Sequence, residues 1–148
     1  MRAVVQRAAH ARVEIAGECA GSIGKGLCVL LGIDADDTIH DADYLCDKLI
    51  GLRIFDDENG VPNRSVTDIG GSILLISQFT LMGDARKGRR PSYIAAARPE
   101  TAVPLYEHCI ARLKDAVPVE TGRFGADMQV TLCNDGPFTI LLDSRRLF

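Results

Sequence analysis

Leu27-Cys28-Val29-Leu30-Leu31-Gly32-Ile33 is an unbroken apolar run, bounded by Gly26 and Asp34. A strand with one wet face alternates apolar and polar residues, and this run does not. It reads as a strand covered on both faces. It is also strand-sized, far short of the ~20 residues that a bilayer-spanning helix needs. The chain around it must therefore supply covering layers. Upstream, Ala3–Gln6 and Ala11–Ile15 read as strand, Ala16-Gly17-Glu18 as a turn and Cys19–Ile23 as the returning partner. Downstream, Asp36-Asp37-Thr38 is a helix-start cluster. Ile39, Ala42, Leu45, Cys46, Leu49 and Ile50 follow it at helical spacing.

The remaining elements extend the pattern. Leu52–Phe55 reads as strand, and Asp56-Asp57-Glu58-Asn59-Gly60 as a turn whose Asn-Gly pair favours positive φ. Ser72–Leu81 is the most strand-like stretch of the second half, followed by a polar, basic loop over Met82–Pro91. Ala102, Leu105, Tyr106, Cys109, Ile110 and Leu113 form a second helical stripe, starting at Pro99 or Thr101. Pro104 is expected in the first turn of that helix, where its missing N–H costs nothing. Gln129–Cys133 and Phe138–Leu142 read as two closing strands with Asn134-Asp135-Gly136-Pro137 between them. The fold class that follows is α/β in the mixed sense, a largely antiparallel sheet with two main helices packed on it. The length of 148 residues fits one domain, residues 1–148.

Composition narrows the function classes. The chain is 47% hydrophobic and 25% charged, typical of a soluble globular protein. Arg2 and Arg7 interrupt any apolar leader, so a cytoplasmic location with no membrane partner is expected. A formal net charge of -3 argues against general nucleic-acid coating, which favours basic surfaces. Five cysteines without CxxC spacing suggest neither a disulfide framework nor a zinc site. Cys46 and Cys109 fall on the helical stripes and read as small core residues. No GxGxxG, P-loop, GxSxG or HExxH motif is present. No cofactor and no metal is expected, and His10, His40 and His108 read as structural or exposed.

Four stretches carry chemistry. Ser77-Gln78-Phe79-Thr80-Leu81 gathers hydrogen-bonding side chains at the end of an apolar strand; they line a pocket or simply face water. Arg86-Lys87-Gly88-Arg89-Arg90 is a basic island in an acidic chain, either a solvated loop or a phosphate clamp. In Thr121-Gly122-Arg123-Phe124-Gly125-Ala126-Asp127-Met128, two glycines hold an aromatic that stacks on a base or plugs the core. Asn134-Asp135-Gly136-Pro137 is a plain turn or a rigid wall from which backbone approaches a ligand closely.

Taken together, these stretches resemble the D-aminoacyl-tRNA deacylase family in order and spacing. Lys87-Gly88-Arg89-Arg90-Pro91-Ser92-Tyr93, Val4-Val5-Gln6-Arg7 and Ala42-Asp43-Tyr44-Leu45 add to the likeness, which covers essentially the whole chain. Tyr93 stands where Phe is more usual in the family. The resemblance implies a deacylase-like fold and an editing hydrolase that frees tRNA from mischarged D-amino acids, with glycyl-tRNA as a further substrate. It implies a homodimer in which a cis Gly136-Pro137 reaches into the partner's site and rejects L-esters. It assigns catalysis to Thr80 and Phe79, and substrate binding to Ser77, Gln78, Gly136, Pro137, Arg7 and Met128, with Arg7 bracing the Gly-Pro segment. The aminoacylated 3′ end of tRNA is the implied partner, and its ribose 2′-hydroxyl stands in for a protein base. Two other readings stay open on residues alone: a non-enzymatic RNA-end binder, and an esterase that depends on Cys133 or Ser77.

Overall fold

The computed structural model describes residues 1–148. Eight strands and two helices follow one another as β1 (Arg2–Ile15), β2 (Glu18–Ile23), β3 (Gly26–Gly32), α1 (Ile39–Gly51), β4 (Phe55–Asp56), β5 (Pro62–Arg64), β6 (Ser72–Ser77), α2 (Pro99–Lys114), β7 (Val119–Thr121) and β8 (Gln129–Asp143). A short 3₁₀ turn, Phe79–Met82, follows β6. β3 and β6 run parallel and adjacent, as do β6 and β7, while β1 pairs antiparallel with β2, β3 and β8. The sheet is mixed with an antiparallel majority, as the patterning implied.

The apolar run of β3 is covered on both faces. Leu27, Val29 and Leu31 belong to the larger core cluster, which also holds Ala42, Leu45, Cys46 and Leu49 of α1 and Ala102, Tyr106, Cys109 and Leu113 of α2. Cys28 belongs to a second cluster on the other side, with Leu74, Ile76, Ala11 and Val13. The helical stripes read from spacing are thus the buried faces, except that Ile39, in the first turn of α1, is exposed. The Asp41 carboxylate accepts from both the N–H (2.8 Å) and the hydroxyl (2.9 Å) of Thr38, closing the start of α1. Across the helices, His108 bonds Asp43 at 2.7 Å, and Arg112 pairs with Asp43 at 3.5 Å and Asp47 at 2.6 Å.

Several boundaries differ from those expected. The two N-terminal strand segments are one strand, because β3 covers the edge of β1 from Arg2 to Ala8 and β2 takes over from Ala11. The two closing segments are likewise one strand, β8, which follows β1 from Arg2 to Glu14. Asn134–Pro137 is therefore an excursion inside a strand rather than a hairpin turn. The two steps from Gln6 to Ala8 are matched by five from Thr139 to Asn134. β6 stops at Ser77, where its partner β3 runs out, so the strand expected to reach Leu81 instead coils into the 3₁₀ turn. Only Phe55 of the expected Leu52–Phe55 strand is in a ladder, since α1 continues to Gly51.

Pro104 is the remaining departure. The helix begins at Pro99, so Pro104 sits in its second turn. Its ring leaves the Glu100 carbonyl without the usual amide partner. Both residues are exposed, which leaves that carbonyl open to solvent. Replacing Pro104 with Ala is expected to raise unfolding stability by about 1–3 kcal/mol. Denaturant titration checks this; equal or lower stability would mean that the ring makes a packing contribution of its own.

Candidate active site

A cleft of about 300 Å³ opens at the carboxyl ends of β3 and β6. Its walls combine Leu31 and Ile33 from the end of β3, Ile76 to Phe79 from the end of β6, and Phe124 to Met128 from the segment before β8. Parts of two stretches distant in sequence, Ser77–Phe79 and Phe124–Met128, thus meet in one apolar hollow with a few polar groups, the usual make-up of a small-ligand site, while Thr80 stands just outside the lining.

The 3₁₀ turn is held in place by backbone. Gln78 N–H donates to the Leu31 carbonyl at 2.7 Å, and Gly83 N–H to the Thr80 carbonyl at 3.0 Å. Gln78 Nε2 donates to Thr80 Oγ1, so the two side chains orient each other. Phe79 and Thr80 are exposed, whereas Ser77 and Gln78 are half-buried. As the first residues of a helical turn, Phe79 and Thr80 have N–H groups with no acceptor inside the turn. Sequence reasoning passed over Gly32, which makes this arrangement possible. A Cβ there would stand 2.8 Å from Leu81 Cβ, 2.9 Å from Met82 Cε and 3.0 Å from the Gln78 carbonyl oxygen. The available signal was a glycine closing an apolar strand, which marks a close backbone approach.

Phe124 packs against Tyr106, with ring centroids 6.1 Å apart, and also lines the cleft. The base-stacking and core-filling readings of this residue are not alternatives here, because it occupies the boundary. Beneath it, the buried Tyr106 hydroxyl donates to the Leu75 carbonyl at 2.7 Å and so holds β6. Burial pushes the Tyr106 phenol above its ordinary value and keeps that donor protonated. Met128 lines the cleft and is half-buried. Asp127 is the one ionisable side chain in the lining, and no histidine or cysteine takes part. The Cys28 thiol, in the second core cluster, is pushed up to about 11 by burial and stays protonated at neutral pH. No three His, Cys, Asp or Glu side chains converge as a metal site.

Gly136 and Pro137 do not line this cleft in the chain that carries them. They are exposed, joined by a cis peptide, at the crest of the β8 excursion. Gly136 has φ +137°, and a Cβ on it would meet Phe138 N at 3.1 Å and Arg7 Nη2 at 3.3 Å. The positive φ favours glycine there, and the close contacts leave a Cβ little room. Arg7 holds the excursion from below. Its Nε donates to the Asp135 carbonyl at 2.9 Å, its Nη1 donates to the Ile54 carbonyl at 2.8 Å, and its guanidinium lies 4.8 Å from the Phe138 ring centroid. Asn134 caps the other side, with Oδ1 accepting from Phe138 N–H at 2.7 Å.

With this geometry in view, comparison with known proteins decides the lineage. The family model described as D-Tyr-tRNA(Tyr) deacylase matches residues 4–143. The chain belongs to that family. A D-aminoacyl-tRNA deacylase of Thermosipho africanus is 56% identical over 149 residues, covering 100% of both chains. The Bacteroides thetaiotaomicron D-aminoacyl-tRNA deacylase is 56% identical over 147 residues, covering 98% of each. Among solved structures, the c-Myc DNA unwinding element binding protein is 41% identical, with a TM-score of 0.92 over 97% of this chain and 98% of that one. A probable eukaryotic D-amino acid tRNA deacylase superposes with a TM-score of 0.83 at 17% identity, over 95% of this chain and 97% of that one; at that identity it speaks for the fold alone. The family match thus spans the sheet from β1 to the end of β8.

The bracing role of Arg7 is open to a direct test. Arg7→Met removes both donors and leaves the carbonyls of Ile54 and Asp135 without them. A loss of about 2–4 kcal/mol in unfolding free energy is expected. Arg7→Lys keeps the charge and loses the fork, so it should recover only part of that stability. Full recovery with Lys would show that charge alone matters at this position.

Proposed function

We propose that this chain is an editing hydrolase that cleaves the ester of D-aminoacyl-tRNA, acts in the cytoplasm and spares L-aminoacyl-tRNA. The observation that carries this reading is the joint cleft of Ser77–Phe79 and Phe124–Met128 in a chain matched along its full length by D-aminoacyl-tRNA deacylases. The 148 residues work as one domain, and the ester's amino acid enters the cleft between Gln78 and Met128.

Water attacks the ester carbonyl, and negative charge builds on its oxygen. The N–H groups of Phe79 and Thr80, free at the start of their turn, are the donors assigned to that oxygen. Losing one donor of this kind typically costs ~10²–10³ in rate. Thr80 orients rather than attacks, since Gln78 already engages its hydroxyl. No histidine lines the cleft, and His108 is taken up by Asp43. The proton therefore moves through the ribose 2′-hydroxyl beside the ester.

Enantiomers have equal volume and hydrophobicity, so size cannot separate them. A rigid surface against the α-carbon can, because it meets hydrogen in one hand and a side chain in the other. Gly136–Pro137 is the assigned surface; it does not line the cleft of its own chain, and a second copy is assigned to supply it. Val130 lines the cleft, and Gly136 lies six residues further along β8, up to about 20 Å away at the rise of a strand. A homodimer is further supported by the outer edge of β8. That strand has 15 residues, pairs only with β1 and buries no side chain before Asp143. An edge this long invites pairing with another chain. Glycine has no side chain to clash, so glycyl-tRNA is a substrate as well.

Side-by-side hydrolysis of D-tyrosyl-, L-tyrosyl- and glycyl-tRNA tests the reading. The D and glycyl esters should be cut and the L ester left. Thr80→Ala should slow the D reaction roughly 10- to 100-fold, within the range for a lost orienting contact. Gly136→Val should reduce activity or the preference for D. Equal cleavage of both hands by the unaltered protein would remove the wall, and no cleavage of any ester by a folded dimer would remove the enzyme.

A further inference from the structure

The loop between Gly83 and Tyr93 takes no part in the cleft, yet it is built beside it. Asp84 and Ser92 exchange backbone hydrogen bonds at 2.8 and 2.9 Å, which closes the loop at its base. Just beyond that base, Tyr93 meets the Phe79 ring edge-on at 5.2 Å between centroids, and Phe79 lines the cleft. The stem is thus fixed to the cleft wall. The seven residues that it holds up, Ala85–Pro91, reach about 10–13 Å from it at most.

The charge of this loop opposes that of the chain. Asp84–Ser92 carries four cations and one carboxylate in a protein of net charge -3. The one carboxylate is already spent within the loop. Arg86 donates Nε to Asp84 Oδ1 at 2.9 Å and Nη2 to Asp84 Oδ2 at 2.7 Å, and these bonds hold the Asp84 carboxyl well below the usual carboxylate range. Lys87, Arg89 and Arg90 are exposed and engage no carboxylate, whereas most arginines elsewhere in the chain do. Three unneutralised cations on a closed loop, one loop-length from a cleft, form a local positive field on an otherwise acidic surface.

We infer that Lys87, Arg89 and Arg90 are a docking surface for the phosphate backbone of the tRNA acceptor end, which they hold while the terminal ester enters the cleft. This rests on the editing reading for the identity of the RNA. The contacts are to phosphate, so they contribute affinity and register without reading sequence. Charge governs such contacts, and their strength falls with salt as counterions compete.

The test compares two esters. D-tyrosyl-tRNA carries the phosphate backbone, whereas 3′-O-D-tyrosyl-adenosine keeps the ribose and the ester and has no phosphate. The variant is Lys87→Gln/Arg89→Gln/Arg90→Gln, confined to exposed positions. On the tRNA its KM should rise about tenfold or more near 0.1 M salt with kcat kept, and the slope of log KM against log salt should become shallower by about 2–3. On the adenosine ester its kinetics should match those of the unaltered protein. Arg89→Lys/Arg90→Lys should restore most of the tRNA KM, since a phosphate contact needs charge more than a fork. Unchanged KM and salt slope on the tRNA would overturn the inference. So would an equal loss on both esters, which would mean that the loop shapes the cleft. Anisotropy titration with uncharged tRNA reads the surface without turnover. Binding that the triple variant loses, in a protein that cuts neither ester, would keep the surface and reject the editing activity. Equal tRNA binding by both proteins would reject the surface itself.

Discussion

Two neighbouring parallel pairings, β3 with β6 and β6 with β7, set the terms for everything else. Parallel strands cannot be joined by a tight turn; the chain must cross over a face of the sheet, usually as a helix. Here α1 makes the first crossover and α2 the second, and both contribute to the same core cluster. That placement follows from the single hand that such crossovers adopt. The helices cover one face of β3 and β6 and the second core cluster covers the other, which is what makes their sequence continuously apolar. Ligands bind where parallel strands end and their crossovers depart, and the cleft lies at that carboxyl edge, at Ile33 and Ser77.

Layered on this frame is a division of labour between two parts of the sheet. The parallel side supplies the hollow and the exposed turn of Phe79 and Thr80. The antiparallel side, β1 with β8, supplies the Gly136–Pro137 crest. Arg7 joins the two levels of organisation. Arg7 as a whole residue is only 7% exposed, and a desolvated cation is tolerable only when its donors find acceptors. It finds them in the carbonyls of Ile54 and Asp135, with the carboxylates of Asp56 and Asp135 at 3.3 and 3.5 Å. The segment after α1 and the crest of β8 are thereby tied to β1 at one point.

The sequence was most legible where a physical period was long enough to measure. Both helices, the two-faced burial of β3 and the mixed sheet followed from spacing and composition alone. Boundaries failed where a partner strand, absent from any local window, decided the outcome. β6 stops at Ser77 because β3 has no more residues to offer, although Leu81 continues the apolar pattern. β8 runs through Asn134–Pro137 because β1 is there to pair with it on both sides, although those four residues have every mark of a turn. Pro104 misled in the same way, since the helix start at Pro99 rests on Arg98 in extended conformation and carries no side-chain cap. In the site, the meeting of Ser77–Phe79 with Phe124–Met128 was not readable from spacing; it came into view through the family resemblance. Gly32 went unnoticed because its partner atoms lie about fifty residues away.

The β8 excursion also bears on how such a protein can change over generations. β8 carries three surplus residues between Gln6 and Ala8 and gives one back between Ala8 and His10, and regular pairing runs on from Gln6 on one side and from His10 on the other. The pairing of Cys133 with His10 and that of Thr139 with Gln6 are each fixed locally by their own hydrogen bonds and alternation. Length and composition within the excursion are thus uncoupled from the phase of the strand that carries it. An insertion there lengthens the crest without turning Val130 or Ile140 to the opposite face. Inherited variation at this spot can reshape what the crest presents while the sheet stays the same, so innovation and robustness occupy separate stretches of one strand.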